Sequence, residues 1–172
     1  MPDTSATADT RSEFIEKVGM ITQAEGLPRI AGRVFGLLIF DGDAVSFGDL
    51  ATRLEVSRGS ISNSIRLLEE RGLVKRIARP GDRQDYFQLA PRPYLSLLEG
   101  VQKRTRLFRD EIAQTIDALP ADADATARVR EYAAFYASIH AGLAVAVDDL
   151  KKEDADKPRL APEGSKDLED DH

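Results

Sequence analysis

Apolar residues recur at helical spacing along most of this chain and at strand spacing in one short stretch. Phe14, Ile15, Val18, Ile21 and Thr22 share one face of a first helix, with Ser12 placed to cap it. Gly26-Leu27-Pro28 breaks that helix. A second helix is predicted over residues 29–40, with Ile30, Val34, Leu37 and Leu38 inward and a stop at Asp41-Gly42-Asp43. Ser46 and Asp49 form a start resembling a capping box for a third helix, residues 47–54, whose Leu50 and Leu54 face the core. Three residues, Glu55-Val56-Ser57, separate it from a fourth helix. Ser57 caps that helix, Ile61, Ile65 and Leu68 form its buried stripe, and Gly72 ends it. Helix, short turn, helix is the helix-turn-helix pattern. Residues 73–78 and 85–89 are β-prone, and the turn residues Arg79-Pro80-Gly81-Asp82-Arg83-Gln84 join them into a hairpin, a wing.

Two longer helical patterns follow. Over residues 93–119 the apolar positions are Tyr94, Leu98, Val101, Phe108, Ile112, Ile116 and Leu119. Over residues 124–150 they are Val129, Tyr132, Tyr136, Ile139, Leu143, Val147 and Leu150. The three- and four-residue steps are those of a coiled coil, and the short break at Pro120-Ala121-Asp122 predicts an antiparallel hairpin. Such a hairpin is longer than a small winged helix needs for support, so its stripes are expected to pack against a second copy. The fold class is therefore mainly α with a small β wing: a winged helix-turn-helix plus a long C-terminal helical hairpin for dimerisation. The expected divisions are a flexible N-terminus (1–11), an N-terminal dimerisation helix (12–28), a winged helix-turn-helix (29–92), the hairpin (93–150) and a disordered acidic tail (151–172). The tail has five basic and eight acidic residues and almost no apolar content.

Charge sharpens this picture. The chain carries a net −6, yet residues 57–92 hold eight Lys or Arg against four Asp or Glu. A local basic patch attracts phosphate within a Debye length whatever the total charge. With no cysteine, disulfide and thiolate chemistry are excluded. The longest apolar run, Val34 to Phe40, is too short to span a bilayer, and the first residues lack the basic start and apolar stretch of a leader. A cytoplasmic location is expected. Two histidines, one at the last position, leave no basis for a Ser/His/Asp or histidine metal site. No Gly-rich phosphate motif appears either. The expectation is a protein that is not an enzyme and that takes no cofactor or metal.

The candidate chemistry lies on the fourth helix and the wing. Ser57, Arg58, Gly59, Ser60, Ser62, Asn63 and Arg66 give the helix a polar side without bulk, as entry into the major groove requires. Asn63 suits adenine, Arg66 suits guanine or phosphate, and the serines suit phosphate. Gly59 is costly inside a helix unless a phosphate comes close to the backbone there. Arg79, Arg83 and Gln84 sit at the hairpin tip, where arginine suits a narrow minor groove and Asp82 either orients Arg83 or holds the turn. Phe14, Phe108, Tyr132, Phe135, Tyr136 and His140 are candidates for an effector pocket or, as aromatics at helical spacing more often are, a dimer interface. The alternative to a DNA-binding reading is a winged helix used for protein association, which the acidic total charge favours.

These residues also carry a resemblance. The stretch from Gly26-Leu27-Pro28-Arg29-Ile30-Ala31-Gly32-Arg33 to Val34-Phe35-Gly36-Leu37-Leu38 resembles the MarR-type winged-helix transcriptional regulators, and more narrowly their GbsR-like branch. So do Ser57-Arg58-Gly59-Ser60-Ile61-Ser62, Arg66-Leu67-Leu68-Glu69, Gly72-Leu73-Val74 and the wing segment Pro80-Gly81-Asp82-Arg83-Gln84-Asp85-Tyr86. Where the family often has a second wing arginine, this chain has Gln84. The resemblance implies a homodimer built through N- and C-terminal helices, binding to pseudo-palindromic operators in double-stranded DNA, and repression relieved by a small-molecule effector held between the two parts. For the branch it implies a link to osmoprotectants such as choline and glycine betaine.

Overall fold

The computed structural model describes residues 4–121 and 123–156. The chain forms α1 (Thr4–Ala24), α2 (Arg29–Asp41), β1 (Val45–Ser46), α3 (Phe47–Leu54), α4 (Arg58–Glu70), β2 (Val74–Ala78), β3 (Asp85–Leu89), α5 (Pro93–Ala118) and α6 (Asp124–Asp156). The three strands form one antiparallel sheet in the order β1-β3-β2. Val45 lies opposite Phe87, and Val74 to Ala78 pair with Leu89 to Asp85. The mainly helical winged fold with a long C-terminal hairpin is thus the expected one.

One core holds the winged helix together. Val34, Leu37 and Leu38 of α2, Leu50 and Leu54 of α3, Ile61, Ile65 and Leu68 of α4 and Phe87 of β3 are buried in a single cluster. The helix starts and stops follow from local chemistry. Ser46 Oγ accepts from the Asp49 amide and donates to the Asp49 carboxylate, so the start of α3 is fixed at both positions. Ser57 Oγ accepts from the Ser60 amide at the start of α4. At its end the Gly72 and Leu73 amides bond back to the Glu69 and Leu68 carbonyls, and Gly72 takes the positive φ of 66° that this Schellman cap requires.

Two expectations at the ends of the chain are corrected. The N-terminal helix begins at Thr4, not at Ser12, so residues 4–11 are helical and Ser12 lies inside α1. Tertiary contact holds that extension: Arg11 donates from Nε and Nη2 to both oxygens of Asp41 at 2.6 and 2.7 Å, and Arg53 of α3 joins the same carboxylate at 3.3 Å. At the other end α6 runs on to Asp156, with Lys151 bridged to Glu99 of α5 at 3.1 Å, so residues 151–156 are helix rather than tail. The rest of the expected tail lies outside the described residues. Ile21, expected on the inner face of α1, is exposed, as is Met20.

α1 packs on α2 at very short range. Gly32 is fully enclosed there, and a Cβ at that position would stand 2.6 Å from Thr22 Cβ and 2.8 Å from the Val18 carbonyl oxygen. Glu16 of α1 ties the same pair of helices, accepting from Arg29 at 2.6 Å and standing 2.6 Å from Arg33 Nε, off the hydrogen-bond line. α5 touches the core through Leu97 and then runs antiparallel to α6. The Thr126 hydroxyl closes the turn between them by donating to the Pro120 carbonyl at 2.7 Å. Among the described residues no helix is long and apolar enough to cross a membrane.

Candidate nucleic-acid interface

The core stripe of α4 fixes which of its sides meets solvent. With Ile61, Ser64, Ile65 and Leu68 buried, Ser57, Arg58, Gly59, Ser62, Asn63 and Arg66 all stand exposed, as expected. Ser60 is half-buried, and its hydroxyl lies 2.9 Å from Ser57 Oγ, so both hydroxyls are engaged in the cap. Asn63 and Arg66 touch loosely, Oδ1 to Nη2 at 3.4 Å. Arg58 is held more firmly, its guanidinium 4.9 Å from the centre of the Phe47 ring at the start of α3.

The wing is built around Asp82. Pro80 and Gly81 (φ 80°) turn the chain, and the Asp82 amide donates back to the Arg79 carbonyl at 3.1 Å, the arrangement of a type II turn. The Asp82 carboxylate then accepts from the Tyr86 hydroxyl at 2.6 Å and from the Gln84 amide at 2.9 Å. The Tyr86 bond, followed by that of Gln84, holds the carboxyl below its ordinary range, and the same Tyr86 bond raises the phenol. Of the two roles open to Asp82, it holds the turn. Arg79 is folded back, with its guanidinium 4.0 Å from the Tyr86 ring centre. Arg83 remains: it lines an open recess of about 590 Å³ with Gln84, Asp85, Arg58, Phe47 and Gly48. Two arginines on different elements therefore line one open recess between α3, α4 and the wing. That arrangement suits a phosphate backbone, because each guanidinium presents a fork of donors.

Sequence reasoning missed three parts of this site. β1 is only two residues long, below what alternation can detect, yet it sets α3 against the wing. Phe47 reads as core from its hydrophobicity, and its service as a platform for Arg58 depends on a contact across the turn. Tyr86 alternates as a strand residue should, and the Asp82–Tyr86 spacing gave no signal of a hydrogen bond.

The aromatic candidates separate into groups. Phe108, Tyr132, Phe135 and Tyr136 come together on one side of the hairpin, with ring centres 5.1–6.5 Å apart. Phe108, Tyr132 and Phe135 stay 53–56% exposed, so one protomer leaves an uncovered aromatic ridge. Phe14 is elsewhere, packed on Phe40 at 5.8 Å. His140, one helical turn after Tyr136, lines a recess with basic residues of α5.

Comparison with known proteins agrees with this fold. Residues 25–85 match the MarR family. Over 99 residues the chain is 39% identical to the HTH-type transcriptional regulator MmpR5 of Mycobacterium tuberculosis, a match covering 57% of this chain and 58% of that protein. The chain thus spans a little over half the length of this curated relative. A crystal structure of a transcriptional regulator superposes with a TM-score of 0.69 at 28% identity, covering 83% of this chain and 99% of the other. The helix-turn-helix, the Asp82-centred wing and these matches make the chain a winged-helix protein that is similar, over residues 25–85, to the MarR family of transcriptional regulators.

Proposed function

We propose that this protein is a homodimeric, sequence-specific DNA-binding regulator, a repressor that works in the cytoplasm. The observation that carries this reading is the recess shared by Arg58 and Arg83, beside the exposed polar face of α4. In this reading α4 enters the major groove with Asn63 and Arg66 toward base edges. Arg83 and Gln84 act from the wing. Arg79 supports the wing through Tyr86 rather than reaching out itself. Ser57 and Ser60 hold the helix start, whose amides face phosphate.

The second copy covers what one protomer leaves bare: the aromatic ridge on α5 and α6, and Met20 and Ile21 on α1. These surfaces are apolar and unpartnered in a chain whose winged helix already has a complete core. A two-fold dimer places its recognition helices about 34–36 Å apart, one turn of DNA. An effector suits the groove between the α1–α2 turn, the C-terminal end of α4 and α5, about 420 Å³ and lined by Leu27, Arg71, Leu97, Val101 and Arg104. Occupying it would change the angle of the recognition helix against the hairpin and shift the population away from the DNA-binding spacing. We place the protein in the GbsR-like branch on the motifs quoted above.

The test is titration of the purified dimer against DNA from its own promoter region at two salt concentrations, with unrelated DNA as competitor. Binding that resists the competitor and weakens steeply between about 50 and 200 mM salt is the expected result, because phosphate contacts release counterions. A folded dimer that binds no DNA, or binds with no salt dependence, would overturn the reading in favour of a protein-association module.

A further inference from the structure

We propose that the recess between the basic face of α5 and His140 of α6 is a binding site for a small polyvalent oxyanion. The recess has a volume of about 360 Å³ and is lined by Glu99, Gln102, Lys103, Arg106 and Arg109 of α5 and by His140 of α6. That volume is at the lower end of small-molecule sites. The inference stands independently of the DNA-binding reading.

Charge is the first argument. Around the recess stand four cations, Lys103, Arg106, Arg109 and Lys151, against two carboxylates, Glu99 and Asp110, on a chain whose net charge is −6. The carboxylates do not neutralise the site. Glu99 is taken by Lys151 at 3.1 Å. Asp110 accepts from its neighbour Arg109 at 2.8 and 3.2 Å and lies only loosely against Arg106, at 3.9 Å. Lys103 has no ion pair among the described residues. Like charges gathered on one helix face repel one another unless an anion joins them.

His140 is the second argument. Its Nδ1 is shut off from solvent and has no hydrogen-bond partner among the described residues. A buried polar atom left unpaired is uncommon, and the ring that carries it lines the recess from the α6 side. The ring also makes the site span both helices.

Position is the third. Glu99, Lys103 and Arg106 follow one another at helical spacing, whereas Phe108 comes nine residues after Glu99 and so stands half a turn round α5. Bound in the recess, an oxyanion would clamp α5 to α6 by bridging Lys103 and Arg106 to His140.

The chain has two histidines, His140 and His172, so imidazole NMR reports this site directly and carries its own control. The full-length protein is titrated with inorganic pyrophosphate, with citrate and with sodium chloride at matched ionic strength. A His172→Gln variant assigns the remaining signals to His140. The expected result is a saturable shift of the His140 signals with pyrophosphate, citrate or both, with sodium chloride ineffective and His172 unmoved. Pyrophosphate alone would identify a phosphoryl ligand and citrate alone a carboxylate. The exposed double variant Lys103→Gln/Arg106→Gln, shown folded by circular dichroism, should weaken binding at least about tenfold, as loss of charge-assisted bonds implies. The proposal is overturned if sodium chloride reproduces the shift, if both histidines move together, if neither anion saturates, or if the double variant binds as before.

Discussion

Gly59→Ala separates what the fold needs from what DNA binding needs. Gly59 is the second residue of α4 and is exposed. A Cβ built there meets nothing nearer than Ser57 Oγ at 3.9 Å, an ordinary contact. Nothing in the fold calls for a glycine at this position. Alanine gains roughly 0.5–1 kcal/mol of helix preference, at the lower end because the first turn is less constrained than the interior. Urea unfolding followed by circular dichroism should therefore show a higher midpoint with an unchanged slope. DNA affinity should move the other way. The added methyl group stands on the exposed side of α4 next to Arg58, where the proposed phosphate comes close to the backbone. A loss of about tenfold, near 1.4 kcal/mol, is expected in a salt-controlled DNA titration. A stabilised variant that binds DNA as tightly as the parent refutes the close-approach argument. A destabilised variant refutes the geometric one.

The opposite outcome is expected at Gly32→Ala. The Cβ would lie 2.8 Å from the Val18 carbonyl, which cannot yield without moving α1, so a net loss of about 1–3 kcal/mol should appear in the same unfolding assay. Arg83→Ala should weaken operator binding and lower the salt slope by about one, and an unchanged slope would remove the wing from the phosphate contacts. Asp41→Asn tests the three-helix ion network. The Arg11 hydrogen bonds lower the Asp41 pKa from its ordinary 3.8, so its stabilisation is present above that value and is lost as pH falls through the lower folded value. Denaturation midpoints from pH 5 down to pH 2 should fall less steeply in the asparagine variant than in the parent, and parallel curves would show that Asp41 carries none of the acid sensitivity.

Periodicity and capping chemistry were enough to place the helices of the winged helix and its β2–β3 hairpin, though not β1. Ser46, Ser57 and Gly72 each act within a few residues of their own position, so their roles are legible without a fold. The hairpin turn at Pro80-Gly81 is local in the same way. The ends of the chain were misread for the opposite reason. Residues 4–11 are polar and look frayed, but Arg11 meets Asp41 thirty positions away, and that bond holds the helix. Residues 151–156 read as an acidic tail, but Lys151 reaches Glu99 across the hairpin.

The same division runs through the candidate site. The sequence by itself determined that α4 exposes Arg58, Asn63 and Arg66, because burial of Ile61, Ile65 and Leu68 at helical spacing leaves its polar residues no other direction. It also determined that a charged turn follows. Only the tertiary structure decided what those charges do. Arg79 and Arg83 are equivalent in composition and lie four residues apart, yet Arg79 rests on the Tyr86 ring and Arg83 faces the recess with Arg58. Packing of α3 and of the two-residue β1 against the wing makes that choice. Interactions between elements depend on distances that no linear pattern carries, whereas helix faces and turns depend on bonds a few residues long.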